Sequence, residues 1–187
     1  MSLFEFLMIL LSLIVGLGLA EILSGIGRVL KSDGIHAFSW THSAIVATIF
    51  IGLLQTFWES WGLGDIAEWS FPAMLLMLGS PTLLFLIAHI LFPDAGQSQD
   101  LDAYYFERAR LLWVLAAVTV VIGTLFRPVA FGMDLWAPDN ASAIPTLAVC
   151  AILATVRRPI VHRILVPLVL VVVLLDTLTI SYSISSG

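Results

Sequence analysis

The chain has 187 residues, 60% of them hydrophobic and only 11% charged, with a mean hydropathy of +1.05. Soluble domains run nearer half apolar and a quarter charged, so too few charges remain here to coat a water-facing surface. Disorder fails on the same numbers, a disulfide framework fails on a single Cys, and a net charge of −5 argues against nucleic acid, whose phosphates need a basic face.

What remains is an all-α integral membrane protein. A bilayer core needs about 20 predominantly apolar residues per helical span. Six segments meet or approach that length: 3–30, 40–62, 70–92, 104–126, 141–157 and 160–185. Together they predict a single transmembrane domain, 1–187, with no connection long enough for a separate water-soluble unit.

The first segment has no Lys or Arg before Arg28 and outruns the apolar core of a signal peptide, which predicts a retained membrane helix. Its GLGLA stretch has no preceding strand and is no dinucleotide fingerprint. Glu21 lies about a turn from the midpoint, toward Arg28. Gly16, Ala20 and Ser24 repeat every four residues beside it, a spacing that permits close helix approach. An ionisable group in hydrocarbon costs about 2.5–3.5 kcal/mol at a helix centre, so it normally faces protein. Glu21 is therefore expected either as a proton or cation site or as half of a structural ion pair, with Arg28 or another buried partner.

In the second segment Gln55 and Glu59 share a face, four residues apart. Thr48 and Gly52 continue the stripe, and Trp58 and Trp61 flank it. This cluster suits a hydrated vestibule or a small-ligand site, or else a hydrogen-bonded helix contact. His42 opens the segment and His89 closes the third. At matched depth they could ligate a haem iron or form a proton-responsive pair; separately hydrogen-bonded histidines are the plainer account. His36 and His162 read as loop or interface residues.

Asp100 and Asp102 precede the fourth segment, where carboxylates suit the positive end of a helix dipole. Cys150, inside LAVCAIL of the fifth, reads as an inert small hydrophobe. Arg157-Arg158-Pro159 makes a tight turn into the sixth. There Asp176 lies at the depth of Gln55 and Glu59, with Thr179 and Ser183 on its face and Thr177 and Ser181 on another. Two acids at one depth on different helices could share a proton or cation. Ser80-Pro81 and Pro167 occupy loosely corresponding places, but their flanking residues do not match and no internal repeat is read from them.

Seven of the eight Lys and Arg residues fall in connections or ends on one side; Arg127 alone falls on the other. The positive-inside rule then places both termini outside, in the periplasm of a Gram-negative host, on the same side as Asp65, Glu68, Asp134 and Asp139. Trp40, Trp61, Trp69 and Trp136 sit near predicted helix ends, as an interfacial aromatic belt would. Walker A, HExxH, CxxC and GxSxG signatures are all missing from the sequence.

SLFEFLMILLSLIVGLGLAEILSGIGRVL, then QTFWESW, then LFPD followed by DLDAYYF, resembles a family of small bacterial polytopic membrane proteins without an assigned activity. The resemblance covers about the first two thirds of the chain. It implies a bacterial inner-membrane location and carries over no functional residue. The sequence thus points to a small channel or transporter for protons or cations, with Glu21, Gln55, Glu59 and Asp176 as the candidate path and no cofactor or metal. The alternative is a non-catalytic accessory or scaffold subunit, held as a homo-oligomer or by a partner membrane subunit. A membrane-embedded haem or lipid-modifying protein would rest on His42 and His89 alone.

Overall fold

A computed structural model describes residues 2–31, 39–64, 66, 68–94, 100–136 and 140–179. Regular structure among them is all helical: α1 (Leu3–Lys31), α2 (Trp40–Ser60, continued by a 3-10 turn, Trp61–Leu63), α3 (Phe71–Ile90), α4 (Leu101–Phe131), α5 (Ala143–Thr155) and α6 (Pro159–Thr179). His36, Asp65, Pro138, Asp139, Ser181, Ser183 and the side chain of Thr179 lie outside the described residues.

Local chemistry sets the helix ends. Ser39 Oγ accepts the His42 N–H at 3.0 Å and opens α2, and Ser70 Oγ accepts the Ala73 N–H at 3.3 Å and opens α3. Asp100 Oδ1 takes the Asp102 N–H at 2.9 Å, so α4 begins at Leu101, three residues earlier than expected. These oxygens satisfy N–H groups that have no partner inside the helix. α4 ends at Gly132, whose φ of 66° is left-handed and whose N–H bonds the Pro128 carbonyl at 2.9 Å.

Five helices are long and apolar enough to cross a membrane: α1, α2 with its 3-10 turn, α3, α4 and α6. The fifth expected span is shorter than read. α5 has 13 residues, about 20 Å of helix, because residues 141–142 form a turn and the chain leaves the helix at Val156.

The packing closes a ring. α1 lies against α3, α3 against α4, α4 against α5, α5 against α6, α6 against α2, and α2 against α1. α2 also reaches α3 and α4, so it is the innermost helix. It is the most polar of the five, at a mean hydropathy of 1.3, and the most enclosed: 44% of its most apolar stretch is buried, against 17% in α4 and α6. The polar side chains Gln55 and Glu59 of α2 are thereby kept partly enclosed. The bundle's outside is apolar, with Leu13 and Leu17 on α1, Val114 and Val118 on α4, and Leu168 and Leu175 on α6 all exposed. Water would not tolerate such a belt, and lipid requires one.

Two glycines set how closely α1 approaches its neighbours. A Cβ on Gly18 would meet Leu53 at 2.9 Å, and one on Gly25 would meet the Phe92 ring at 2.2 Å. The stripe expected to make such contact does not: Gly16, Ala20 and Ser24 are exposed, and Gly16 has open space beyond it. The register of the buried face (Leu7, Leu11, Val15, Gly18, Ile22, Gly25) turns that stripe outward.

Seven of the basic residues gather at one end of the bundle. Arg163 reaches Asp102 at 3.4 Å, the Asp102 carboxylate also takes the Ser39 hydroxyl, and the Arg108 guanidinium lies 4.2 Å from the centre of the Tyr104 ring. At the end of α3 the Tyr104 hydroxyl shares its one proton between the Ile90 and Phe92 carbonyls, at 3.0 and 2.8 Å, and His42 Nε2 donates to the Leu91 carbonyl at 2.7 Å. Arg127 lies toward the opposite end.

Candidate functional site

One helical turn stacks Gln55 over Glu59 on α2, and Asp176 faces them from α6. Gln55 Nε2 donates to Glu59 Oε1 at 2.9 Å and to Asp176 Oδ2 at 2.8 Å. A primary amide carries two N–H groups splayed at about 120°, so each proton points at one carboxylate and the two oxygens stand on the order of 5 Å apart. Thr177 Oγ1 lies 3.3 Å from Gln55 Oε1 and 2.8 Å from the Val173 carbonyl. Carboxylates accept, which fixes the orientation of the amide.

These groups form one wall of a cavity of about 720 Å³. Arg127 on α4, Asn140 ahead of α5, and Thr146 on α5 also line it. Ser80 of α3 and Val120 of α4, both mid-helix, mark its inner end, while Gly62 and Ser142 mark the end of the bundle it reaches. Ser80 Oγ lies 3.4 Å from the Thr119 carbonyl and ties the two helices there. Beyond it the bundle is filled by Leu112, Trp113, Leu153, Val166 and Val169, none more than 8% exposed.

Three of the four residues of the candidate path therefore meet, and Glu21 does not join them. Its carboxylate is 3.4 Å from His89 Nδ1, on the outer side of the α1–α3 contact, with side-chain exposures of 33% for Glu21 and 64% for His89. His42 and His89 each have their own partner: His42 is buried, donates to the Leu91 carbonyl and meets the Phe92 ring edge-on at 5.2 Å. Among the described residues no three of His, Cys, Asp and Glu converge as metal ligands do.

Several contacts escape the sequence. Helical spacing puts Thr177 on a different face from Asp176, but residues about 100° apart on a helix can straddle one opposing side chain, and Gln55 sits between them. Arg127 stands out in the sequence only as a charge to be counted. His162, expected in a loop or at an interface, is buried in the first turn of α6. Its Nε2 donates to the Val156 carbonyl at 2.7 Å, and its Nδ1 accepts from the Tyr105 hydroxyl at 2.7 Å, which itself accepts the Trp113 indole N–H at 2.8 Å. The carbonyl at one end and the indole donor at the other leave a single direction for every proton. This chain of bonds pins the α5–α6 turn to α4. The adjacent aromatic run at 104–106 is the available signal.

Compared with protein families, curated proteins and solved structures, the chain has no match in any of the three.

Proposed function

We propose that this chain is a small polytopic carrier of protons or monovalent cations in a bacterial inner membrane, with six crossings, both termini outside and the cavity open to the outside. The observation that carries this reading is the Gln55 amide holding Glu59 and Asp176 side by side on the wall of a large cavity. Intramembrane acids that face a cavity mark ion and proton pathways. A cation in the cavity would meet two carboxylates that a single amide holds in place. The packed layer beyond Ser80 favours a carrier over an open pore. Support for a sixth crossing comes from α5, since Ala143 lines the cavity with Asp176 while the Val156 carbonyl meets His162 at the basic end. The gathering of seven cations at that end supports the orientation.

The test is reconstitution in liposomes carrying a pH-sensitive dye, with imposed proton, sodium or potassium gradients. Flux that falls at least tenfold in Asp176→Asn and Glu59→Gln, with thermal unfolding retained, is the expected result. Absence of flux under every gradient refutes the reading.

A second reading, an accessory subunit, is favoured by the Glu21–His89 pair on the outer side of α1 beside the outward-facing Gly16, Ala20 and Ser24. A homo-oligomer or a partner subunit seated there would shield the pair from lipid, and crosslinking from position 20 in native membranes would detect it.

A further inference from the structure

The turn between α5 and α6 carries two arginines on an ordered backbone. His162 Nε2 holds the Val156 carbonyl at 2.7 Å, and the Val161 N–H bonds the Arg158 carbonyl at 3.0 Å. Arg157 and Arg158 are both exposed. Among the described residues no carboxylate pairs with either of them, whereas Arg108 lies 3.4 Å from Glu107 and Arg163 lies 3.4 Å from Asp102. Arg163 keeps 60% of its side chain exposed, which leaves donors of its guanidinium open to a further partner.

The depth of this group follows from α4. Its 31 residues make about 46 Å of helix, longer than the roughly 30 Å of a hydrocarbon core. Asp102, Glu107, Arg108 and Arg110 crowd its first three turns, so that end of α4 stands among lipid headgroups. The Arg163–Asp102 pair and the Tyr105–His162 bond hold the α5–α6 turn level with those turns. Arg157, Arg158 and Arg163 therefore lie at the depth of phospholipid phosphates.

Below them the surface turns apolar at once. Ile160, Ile164, Leu168 and Val171 recur at three- and four-residue spacing with Arg163 and form one outward face of α6, each at least 47% exposed. A ligand that fits both halves has an anionic head and an apolar tail. Three arginines less the one charge of Asp102 leave a local net charge of +2. A phosphodiester of net negative charge offsets part of it. A zwitterionic headgroup brings its own ammonium and offsets none. The planar guanidinium can also take two phosphate oxygens at once.

We infer that the α5–α6 turn and this face of α6 bind a phospholipid of net negative charge, its phosphodiester taken by Arg157, Arg158 and Arg163 and an acyl chain laid along Ile160, Ile164 and Leu168. The site is separate from the cavity and does not depend on the carrier reading.

Thermal unfolding of the full chain in a neutral detergent tests it, with short-chain phosphatidylglycerol, phosphatidylcholine of the same chains, and inorganic phosphate as titrants. A ligand of the folded state raises Tm saturably, and each cation beside an anionic headgroup is worth roughly fivefold in binding. Phosphatidylglycerol is expected to half-saturate at a concentration at least fivefold below phosphatidylcholine. Arg157→Gln with Arg158→Gln should bring the two lipids within twofold of each other. Arg28→Gln with Lys31→Gln, at the same end of the bundle but on α1, should keep the preference at least fivefold. Equal response to the two lipids overturns the inference, as does a preference that survives the loss of Arg157 and Arg158. A preference that falls equally in the α1 variant belongs to the field of the whole basic end and overturns the site. Inorganic phosphate matching phosphatidylglycerol leaves a free-anion site and overturns the lipid. The titrant series on the unaltered protein and on the α1 variant decides the matter even if the Arg157 and Arg158 variant fails to fold.

Discussion

Replacing Gln55 by Leu keeps the bulk of the side chain and removes the bridge between two acids. In the native protein the amide supplies one hydrogen bond to each carboxylate, at 2.9 and 2.8 Å. Hydrogen bonds to charged groups contribute about 1.5–3 kcal/mol each. Both acids are half-buried and border the cavity, where water takes up part of the lost contact, so the lower end applies. Gln55→Leu is therefore expected to cost about 2–3 kcal/mol, a fall in Tm of about 5–10 °C for a chain of this size. Adding Asp176→Asn to Gln55→Leu removes a carboxylate whose amide partner is already gone, so it should cost about 1.5–3 kcal/mol less there than in the native protein. The double variant is then less destabilised than the sum of the two single substitutions. A four-member cycle of thermal or SDS-titration unfolding measures the coupling. If the two substitutions add with no coupling, or if Gln55→Leu is as stable as the native protein, the bridge does not hold the acids as argued.

Tyr105→Phe retains the buried ring and deletes the hydroxyl between Trp113 and His162; two buried groups lose a partner, and a loss of about 2–4 kcal/mol is expected in the same unfolding assay. A loss below about 0.5 kcal/mol would mean that the network does not pin α4 to the α5–α6 turn. On α1, Gly25→Ala forces a methyl to 2.2 Å from the Phe92 ring, which the His42 ring meets edge-on and whose backbone carbonyl the Tyr104 hydroxyl holds; overpacking of about 1–3 kcal/mol outweighs about 1 kcal/mol gained in helix propensity. Gly27→Ala meets open space and should stabilise by about 0.5–1 kcal/mol, so the two alanines are expected to shift unfolding in opposite directions.

The helical membrane class was legible because hydrocarbon leaves a long apolar run few alternatives. Five of the six runs became helices of spanning length. The weaker element was α5, where Pro145 and the polar residues before it left the start open, and an apolar stretch by itself does not specify where a helix begins. At the site, the α2 half was readable from i, i+4 spacing alone. That Asp176 comes from α6 to the same amide depends on which helices touch, and an apolar exterior carries little information on neighbours. α1 shows the same limit. Small residues occur on both of its faces, and the sequence marked Gly16, Ala20 and Ser24 while the contact uses Gly18 and Gly25. The hydroxyls lining the cavity were invisible as a set, since they are spread over several helices.

The position of the cavity constrains how any occupant could travel further. Gln55, Glu59 and Asp176 hold one level, Ser80 closes the next, and below it Leu112, Trp113, Leu153, Val166 and Val169 fill the bundle to the Tyr105–His162 bonds. Proline stands inside two helices at this boundary: Pro81 follows Ser80 in α3, and Pro167 follows Val166 in α6. Each removes one N–H from its helix, leaving the carbonyls of Met77 and Arg163 without their usual intrahelical donors. Each of the two helices thus lacks one backbone hydrogen bond beside this layer of buried side chains. Any separation of that layer would find both helices already short of a backbone hydrogen bond, at Pro81 and at Pro167, while the Tyr105–His162 bonds hold the α5–α6 turn to α4 beyond it.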